Sequence, residues 1–578
     1  YRSLTKAGDK DWSVCSLCGE EPAIIHPVKM WNEQAKVEDF DREWLKNLRE
    51  FLKVAGGDKI AEIGSKDLKP IFRPGEALGP YCLYKRIIGE AHSKELMEYY
   101  GLVSTDDVAL ITLIKALMEE EQALKELDRE IKKLVEANKL KCDPLPFIMG
   151  YYRGQYLPRD VKGAAEICGQ SYEAFKEYIS KLFKEHFCRR AKKCLDIAKR
   201  MFPELQREIE EFADITRRPE DIENFLKLRT RYSIVKGDGD SIGMIHQGIL
   251  KPVGIGARDY VEKLLDAVSR GLDEGGRARL SRAFKVTAEI SSILSGGGDG
   301  ILVSPTLTSV ISMALQITSL RDVASIIYNM GFPVYSGGDD VLALVPVERW
   351  FETVRVLRSH FWGDGDSLFH KICDDGVCVV VAQAIPTGRS FSVRVADVLD
   401  VMSYEILKAL ELLESRAKSA KWIGLYSMNK DSLVLSDSRS RTEVVLPLSL
   451  ARNGERMLLS DLLRTLSMMF VAENLGVISA NIPEDLDSML KDPLSGERIV
   501  IGDDVSLDGA LLRIFERVLY RNVNIKERET RESKINEIVS RIVNGIGGYY
   551  VLRLRNRDTG RRFLEELVDF IRASRGWL

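Results

Sequence analysis

Four consecutive residues, Gly-Gly-Asp-Asp at 337–340, constrain the fold more than any other stretch because they separate two apolar runs. Apolar runs on both sides of such a tip predict a β-hairpin, in which Gly337 and Gly338 adopt the positive φ angles of a tight turn. Asp339 and Asp340 then lie together at the tip. Because adjacent carboxylates repel, we expect a proton or a cation between them, Mg²⁺ where phosphates are handled. A plain solvated turn remains open from this stretch alone.

A second acidic cluster lies about a hundred residues upstream, where an apolar run from Tyr232 ends in Asp238-Gly239-Asp240. Residues i and i+2 of a strand point to one face, so Asp238 and Asp240 are expected to share a metal ion. If this strand pairs beside the hairpin, the carboxylates converge at one end of one sheet. That is the layout of a palm domain, in which two divalent ions align a 3′-hydroxyl with an α-phosphate.

A turn or a calcium loop is the alternative for the upstream cluster. The fifth and twelfth positions of a loop that begins at Asp238 are Ile242 and Ile249, which supply none of the oxygen ligands expected there. The two clusters together therefore favour four carboxylate ligands for Mg²⁺ or Mn²⁺, namely Asp238, Asp240, Asp339 and Asp340.

Four blocks of sequence resemble, in the same order, the large palm-bearing subunit of type III CRISPR effector complexes, and the Cmr (III-B) branch fits best. The blocks are residues 238–243, 304–315, 334–348 and 387–395, so the resemblance covers about 230 to 405. The hairpin block, Val-Tyr-Ser-Gly-Gly-Asp-Asp-Val-Leu-Ala-Leu-Val-Pro-Val-Glu, is its most specific part.

The resemblance implies a function as well as a fold. It implies that ATP is the substrate and that cyclic oligoadenylates are made when target RNA pairs with a guide RNA held by a complex of Cmr protein subunits. Asp238, Asp339 and Asp340 match the catalytic carboxylates. The residues expected around the nucleotide are Gly239, Asp240, Ser336, Gly337 and Gly338. No side-chain nucleophile is needed for such a transfer, and the sequence offers no compelling Ser/His or Cys/His pairing.

Length and composition bound the remaining architecture. A chain of 578 residues is too long for one core and is expected to hold three or four domains. With 45% hydrophobic and 30% charged residues it reads as globular, without a membrane span and cytoplasmic, and nine cysteines do not make a disulfide scaffold. The net charge of −3 gives no global case for nucleic-acid binding, so any such surface is local.

The predicted fold is α+β and multidomain, built around a ferredoxin-like palm. We expect a cysteine-bearing region at 1–100, a helical domain at 101–225, the palm at 226–420 and a mainly helical docking domain at 421–578. Within the palm, the order βααββαβ suits an antiparallel sheet with helices on one face. It includes a strand at 377–382 and a long helix from about Val393.

The cysteines near the start predict a structural zinc site of the zinc-knuckle kind. Cys15 and Cys18 are spaced to chelate one tetrahedral ion, and the resemblance adds Cys82, although Gly79 stands where a further cysteine is expected. His26 or His92 would then be the fourth Zn²⁺ ligand. Buried, unligated cysteines are the alternative. The group His186, Cys188 and Cys194 lies among Arg and Lys residues that would repel a cation, so these are taken as ordinary helix residues.

Basic residues exceed acidic ones beyond Leu511, and several arginines gather between Arg553 and Arg562. Such a patch suits phosphate backbones, while a docking surface for a protein subunit is the plainer alternative. None of the six histidines precedes an aspartate, so the His-Asp nuclease motif of the family is absent from this sequence, and no second acidic palm is seen. Because the chain opens with Tyr1, we expect it to be a fragment of something longer. Since a single palm needs a partner face for the second nucleotide, we expect this chain in isolation to bind ATP but to turn it over poorly.

Two other functions remain open at the level of sequence. One is a non-catalytic scaffold whose acidic tip binds nucleotide or metal and whose work is docking protein subunits and guide RNA. The other is a GGDEF-like cyclic dinucleotide synthase, although Gly-Gly-Asp-Asp-Val replaces Gly-Gly-Asp-Glu-Phe at 337–341.

Overall fold

The structure is a computed structural model, and its described part is discontinuous along the chain. It comprises residues 105, 108–109, 111–112, 191–216, 230–249, 273–294, 303–361, 369–374, 377–382, 387–420, 431–440, 442–452, 455–458, 460–490, 510–525, 531–545, 557–575 and 577. The chain divides into two compact units. One holds residues 1–186, 228–230 and 397–407; the other, which carries the sheet described next, holds residues 187–227, 231–396 and 408–578.

A six-stranded mixed sheet forms the centre of the second unit, with the strand order β2-β3-β1-β6-β7-β8. β1 is antiparallel to β3, β3 to β2, and β7 to β8, whereas β6 and β7 are parallel. The first four strands follow the order 2-3-1-4 of a βαββαβ ferredoxin-like arrangement. The strands of the sheet are β1 (Arg231–Gly239), β2 (Phe332–Gly337), β3 (Asp340–Pro346), β6 (Arg389–Asp397), β7 (Ser432–Asp437) and β8 (Glu443–Pro447).

Two predicted elements of the palm differ from the structure. The apolar strand at 377–382 lies outside the sheet, because β4 (Phe369–Asp374) and β5 (Val377–Ala382) pair only with each other. The helix expected from Val393 does not start there, since β6 continues to Asp397 and is buried along its length. The run Ser-Phe-Ser-Val-Arg-Val contains β-branched and aromatic residues, which fit a strand buried on both faces of a sheet.

Two helices precede the sheet, α1 (Ala191–Met201) and α2 (Gln206–Thr216). The predicted break at Pro203 is confirmed, because Pro203 opens a short 3₁₀ turn between them. Cys194 lies within α1, so the predicted helix at this position is confirmed, while His186 and Cys188 lie outside the described residues. Cys15, Cys18, Cys82, His26 and His92 lie outside the described residues, so the zinc site stays a prediction.

Further helices lie between the strands along the chain. A short helix, α3 (Ile242–His246), follows β1, and α4 (Glu274–Leu294) precedes α5 (Pro305–Tyr328). α6 (Trp350–Ser359) follows β3, and α7 (Met402–Leu412) continues into one π turn at Leu413–Ala417. The hairpin β9 (Ser449–Arg452) and β10 (Glu455–Leu458) comes after the sheet.

Helix α5 packs on β2 and β3, and its first turn explains where it begins. Ser304 is extended and its Oγ accepts a hydrogen bond from the Leu307 amide at 3.1 Å, with Pro305 in the first helical position. By length and composition alone, residues 307–328 would also be long and apolar enough to cross a membrane, and a third of that window is buried. A single helix of this kind is weak evidence for a membrane span, because core helices of soluble proteins have the same length and apolar composition.

A buried ionic group fastens α5 to the sheet and to α6. Asp322 has no exposed surface, and its carboxylate accepts hydrogen bonds at 2.7 Å from Arg389 of β6 and shares one of 2.7 Å with His360 Nδ1. The Arg389 guanidinium also lies 4.8 Å from the centre of the Phe361 ring. Burial lowers the pKa of His360, although Asp322 beside it opposes this, so the imidazole is neutral at pH 7. The buried charge of Asp322 in α5 is thus compensated by Arg389 and by the hydrogen bond with His360.

Further helices follow β10 in the described part of the chain, and the last of them packs on β7 and β8. They are α8 (Ser460–Asn474), α9 (Ile482–Leu490), α10 (Ala510–Asn522), α11 (Arg531–Gly545) and α12 (Arg557–Ser574). An aromatic cluster joins them to α6, with ring centres 3.9–6.5 Å apart, formed by Trp350, Phe351, Phe470, Phe570 and Trp577. Such rings are large apolar surfaces, so this cluster is a main source of packing energy between α6, α8 and α12.

One carboxylate ties three distant segments together. Asp437, at the end of β7, receives two hydrogen bonds from Arg231 at 2.7 and 2.8 Å and one from the Trp577 indole at 2.9 Å. Burial alone would raise the pKa of Asp437, but the Arg231 guanidinium holds it below its ordinary value. Asp437 is therefore ionised and anchors β1 to the C-terminal part of the chain.

Glu566 of α12 gives the protein a pH-dependent stability. Its carboxyl accepts a hydrogen bond of 2.6 Å from the Val445 amide, and burial raises the pKa of Glu566 to about 7. The unfolded chain ionises this group near its ordinary value of 4.5, so unfolding releases a proton between those two pH values. Stability from this residue is thus greatest below about pH 4.5, falls as the pH rises through about 7, and is constant above that.

Glu566→Gln is expected to stabilise the protein at pH 8 by about 1–2 kcal/mol, because the amide keeps an acceptor for Val445 without a buried charge. At pH 5 the substitution is expected to change little. Chemical denaturation at both pH values measures this. Equal effects at pH 5 and pH 8 would contradict the assignment.

Candidate functional site

The predicted hairpin is confirmed, and its tip is a two-residue turn of Gly338 and Asp339 between β2 and β3. Gly338 has a φ of 66°, as the first turn residue of a II′-type hairpin requires. The expectation of a positive φ at Gly337 is wrong, because Gly337 is the last residue of β2 and pairs with Asp340. A Cβ added at Gly337 would lie 2.7 Å from the hydroxyl of Tyr335, whose exposed side chain can move aside.

The upstream strand does pair beside the hairpin. In the register of β1 with β3, Gly237 lies opposite Val341, so Asp238 comes level with the start of β3 at Asp340. Gly239 makes a close approach possible at this point, because an added Cβ would lie 2.8 Å from the Asp339 Cβ and 2.7 Å from Ile242. The end of β1 and the tip of the hairpin therefore meet, as predicted from the two acidic clusters.

Three of the four predicted carboxylates gather at this end of the sheet. Burial, followed by the neighbouring charge of Asp238, raises the pKa of Asp339 to about 6, and the Asp340 charge acts in the same direction. The Asp339 carboxyl also hydrogen-bonds with the Asp238 side chain. Negative charge is thus in excess at the tip, which is the condition under which a proton or a cation is held between carboxylates.

Two lysines neutralise part of that excess. Lys236, two residues before Asp238 in β1, forms an ion pair with Asp340. Lys418, which follows the π turn, forms one with Asp238 and a second, of 2.7 Å, with Glu414. Burial alone would lower the pKa of Lys418, but the hydrogen bonds to Asp238 and Glu414 raise it, so the ammonium is charged. Neither lysine was identified from the sequence as a site residue.

The structure places Asp240 apart from the other three acidic residues. It is 1% exposed, and its oxygens accept hydrogen bonds of 2.8 Å from the Ser390 hydroxyl and the Asp431 amide. Its backbone bonds to Gly388 and Thr387. Asp240 therefore joins the end of β1 to β6 and β7 and holds it in position. The sharing of a strand face by residues two apart does not predict this role.

Ser336, expected near the nucleotide, binds a helix of its own unit. Its hydroxyl donates to the Ser319 carbonyl at 3.2 Å and lies 2.9 Å from the Ser319 hydroxyl. These contacts fix β2 to α5 and so hold the hairpin in place. Gly239, Gly337 and Gly338 lie at the same end of the sheet; protein atoms fill the space beside Gly239 and Gly337, and nothing lies within 4 Å of a Cβ added at Gly338.

No group of three or more His, Cys, Asp or Glu side chains is arranged to hold a metal ion in the part of the chain that the structure describes. Asp238, Asp339 and Asp340 nevertheless offer only oxygen donors, which Mg²⁺ and Mn²⁺ prefer. Burial, followed by the charge of Asp238, raises the pKa of Asp339, so this carboxyl is the one of the three that most readily shares a proton. The donor set thus fits a divalent cation once the carboxylates turn from the lysines.

Gly239→Ala is expected to weaken Mn²⁺ binding by about tenfold or more, because the new methyl group forces the end of β1 and Asp339 apart. Gly243→Ala is the matched control, since nothing lies within 4 Å of a Cβ added there. Calorimetric titration with Mn²⁺ measures both. Equal affinities in the two variants would show that the close approach at Gly239 does not shape the site.

Comparison with known families supports a palm. Residues 303–422 match the family model described as Cas10/Cmr2, second palm domain. That stretch contains the hairpin with Asp339 and Asp340, β6 and Lys418, while β1 with Asp238 lies before it.

Two curated relatives are similar to the chain. The CRISPR system CMR subunit Cmr2 of Saccharolobus solfataricus is 23% identical over 519 residues, which are 78% of this chain and 46% of that protein. The CRISPR system Cmr subunit Cmr2 of Pyrococcus furiosus is 40% identical over 58 residues, which are 10% of this chain and 7% of that protein. The chain therefore spans about half the length of the first relative or less.

Two solved structures share the fold. A chain of the type III-B Cmr-beta complex in its apo state, solved by cryo-EM, superposes with a TM-score of 0.51 and 18% identity, covering 93% of this chain and 57% of that one. A chain of the type III-B Cmr-beta complex bound to cognate target RNA superposes with a TM-score of 0.50 and 19% identity, covering 93% of this chain and 58% of that one. At this identity the likeness concerns the fold.

Proposed function

We propose that this Cmr2 homologue, whose residues 303–422 match the second palm domain of Cas10/Cmr2, binds ATP and divalent metal and makes cyclic oligoadenylate as the large subunit of an RNA-guided type III-B effector complex. The observation that carries the proposal is the convergence of Asp238, Asp339 and Asp340 at one end of a palm sheet. Partners are other Cmr protein subunits, with guide and target RNA bound through them.

Each carboxylate would take part in holding the reacting groups. Asp238 and Asp340 offer oxygens from neighbouring strands, and Asp339 offers a third from the tip of the hairpin. Divalent ions bound there would lower the pKa of an attacking 3′-hydroxyl and neutralise charge on the α-phosphate and the departing pyrophosphate. The protein would hold these ligands in a fixed orientation. Because β1 and β3 are adjacent strands, their carboxylates keep a fixed spacing.

Asp240 has a supporting part in this proposal. Because its carboxylate is bound by Ser390 and by the Asp431 amide, it holds the end of β1 in place and leaves Asp238 to face the ligand. Asp431 in turn is paired with Arg358 of α6 at 2.6 and 2.7 Å. The site thus rests on buried polar contacts that join β1, β6, β7 and α6.

The experiment that tests the function is a titration of ATP and GTP into the purified chain with Mn²⁺, repeated with the chelator EDTA in place of the metal. We expect metal-dependent binding of ATP and, with activating RNA and the other subunits added, a cyclic oligoadenylate product. Indifference to both nucleotides in the assembled complex would leave the non-catalytic scaffold as the better account. GTP binding with a cyclic dinucleotide product would favour the GGDEF-like synthase.

A further inference from the structure

The two lysines at the carboxylates come from unrelated parts of the fold. Lys236 is 7% exposed and lies in the centre of the sheet, in β1. Lys418 lies 180 residues away from Asp238 in sequence and is also mostly buried, with 17% of its side chain exposed. Buried ammonium groups are rare unless paired, and each of these is paired with a carboxylate of the site.

The π turn explains how Lys418 reaches β1. Its amide donates to the Leu413 carbonyl, five residues back, at 2.9 Å, which is the bond that defines this turn. The extra residue in a π turn changes the direction of the following side chains, and such turns are frequent at functional sites. Glu414, one turn earlier, already binds Lys418 at 2.7 Å. Lys418 therefore keeps an acidic partner if Asp238 is taken by another cation.

A lysine and a divalent ion compete for the same oxygens. A carboxylate oxygen that accepts a hydrogen bond from an ammonium group has fewer lone pairs for a metal ion, and the two positive charges repel at such short range. The third carboxyl, Asp339, stands in hydrogen-bond contact with Asp238 and is not sufficient by itself for a metal site. Each lysine bonds one oxygen of its carboxylate, so a divalent ion on the remaining oxygens would lie beside two ammonium groups, and we expect its binding to displace at least one lysine.

We propose that Lys236 and Lys418 are internal counter-ions of this centre, which hold Asp340 and Asp238 when no divalent ion is bound and move to the phosphates of the nucleotide when one is. The second half of this statement rests on the proposed function. The consequence is reciprocal coupling: a triphosphate that binds the lysines frees the carboxylates for metal, and metal frees the lysines for phosphate. Metal alone then binds weakly, and metal with nucleotide binds well.

The test is Mn²⁺ titration of the full chain without nucleotide, followed by ATP titration at saturating Mn²⁺, for the wild type, Lys418→Met and Lys236→Met. Met keeps the length of the side chain without its charge. We expect each variant to bind Mn²⁺ alone roughly tenfold more tightly and ATP roughly tenfold more weakly. Lys418→Arg, which keeps a cation, is expected to leave Mn²⁺ affinity near that of the wild type.

Lys408→Met is the matched control, because Lys408 pairs with Glu411 at 2.9 Å on the exposed side of α7. It is expected to change neither affinity. Thermal melting of every variant identifies any that does not fold. If Lys236→Met fails to fold, Lys418→Met alone decides the outcome, because Lys418 is the less buried of the two lysines.

The outcomes separate this inference from the proposed function. Unchanged or weaker Mn²⁺ binding in Lys418→Met overturns the counter-ion proposal, even where the wild type binds ATP with metal. Tighter Mn²⁺ binding in the lysine variants, with no ATP binding by any protein, supports the counter-ions and overturns the nucleotide function. Tighter Mn²⁺ binding with undiminished ATP affinity overturns the transfer of the lysines to phosphate.

Discussion

Asp339→Ala combined with Asp340→Ala is expected to abolish metal-dependent ATP binding and product formation while the chain still folds. Both residues lie at the tip of the hairpin, where the Asp340 side chain is 41% exposed and neither belongs to the buried core. Removing them takes away two of the three carboxylates that gather at the end of β1. A two-metal transfer that loses its ligands loses the stabilisation of the transition state, so activity should fall by several orders of magnitude.

Two further variants make this experiment decisive. Asp339→Asn with Asp340→Asn removes the same charge but leaves an acceptor for Lys236, so any loss of stability in the alanine variant can be told apart from loss of the site. Asp214→Ala with Glu411→Ala removes two negative charges at exposed positions and is expected to retain full binding. ATP conversion at the wild-type rate in the Asp339/Asp340 variants would disprove the assignment of the site.

Asp322→Ala is expected to destabilise the unit that holds the sheet by about 3–5 kcal/mol, the usual cost of leaving a buried charge without its partner. Arg389 is fully buried, and within the described residues its Nε and one Nη have no hydrogen-bond partner, so Asp322 is its main compensation. His360 would lose its 2.7 Å contact as well. Tryptophan fluorescence during urea unfolding measures the effect, since Trp350 and Trp577 lie in the same unit.

The controls for Asp322 separate charge from shape. Asp322→Asn keeps one hydrogen-bond acceptor and a similar side-chain volume. We therefore expect it to lower the free energy of unfolding by less than alanine does, but still measurably. Glu411→Ala breaks only the exposed ion pair with Lys408 and is expected to change stability by less than about 0.5 kcal/mol. If Asp322→Ala and Glu411→Ala had equal effects, the buried network would not fasten α5 to β6.

The sequence was sufficient for the parts of the site that obey local rules. Gly338 between two apolar runs predicts a tight turn, and the acidic residues at the ends of β1 and β3 predict a meeting point if the strands pair. Lys236 carried a usable signal, because it lies two residues before Asp238 in a strand and so shares its face. The resemblance to type III CRISPR subunits agreed with the later comparisons in the region of 303–422.

The remaining features depend on contacts that no local pattern records. Lys418 meets Asp238 across 180 residues, and a Lys after a helix reads as an ordinary surface cation. Asp240 looks like a metal ligand by spacing, but Ser390 and the Asp431 amide, both more than 140 residues later, occupy its oxygens. β5 has the apolar composition of a central strand and pairs with β4 instead, because partner choice between strands is a tertiary property.

The register of β1 with β3 has a consequence for the order in which the protein folds. The hairpin of β2 and β3 closes over two residues, whereas β1 must find β3 across about a hundred residues and β7 lies still farther along the chain. Since closing a long loop is slow compared with closing a short one, we expect the hairpin to form early and β1 to be added late. The carboxylates of the hairpin tip are then joined by Asp238 only after the hairpin itself has formed.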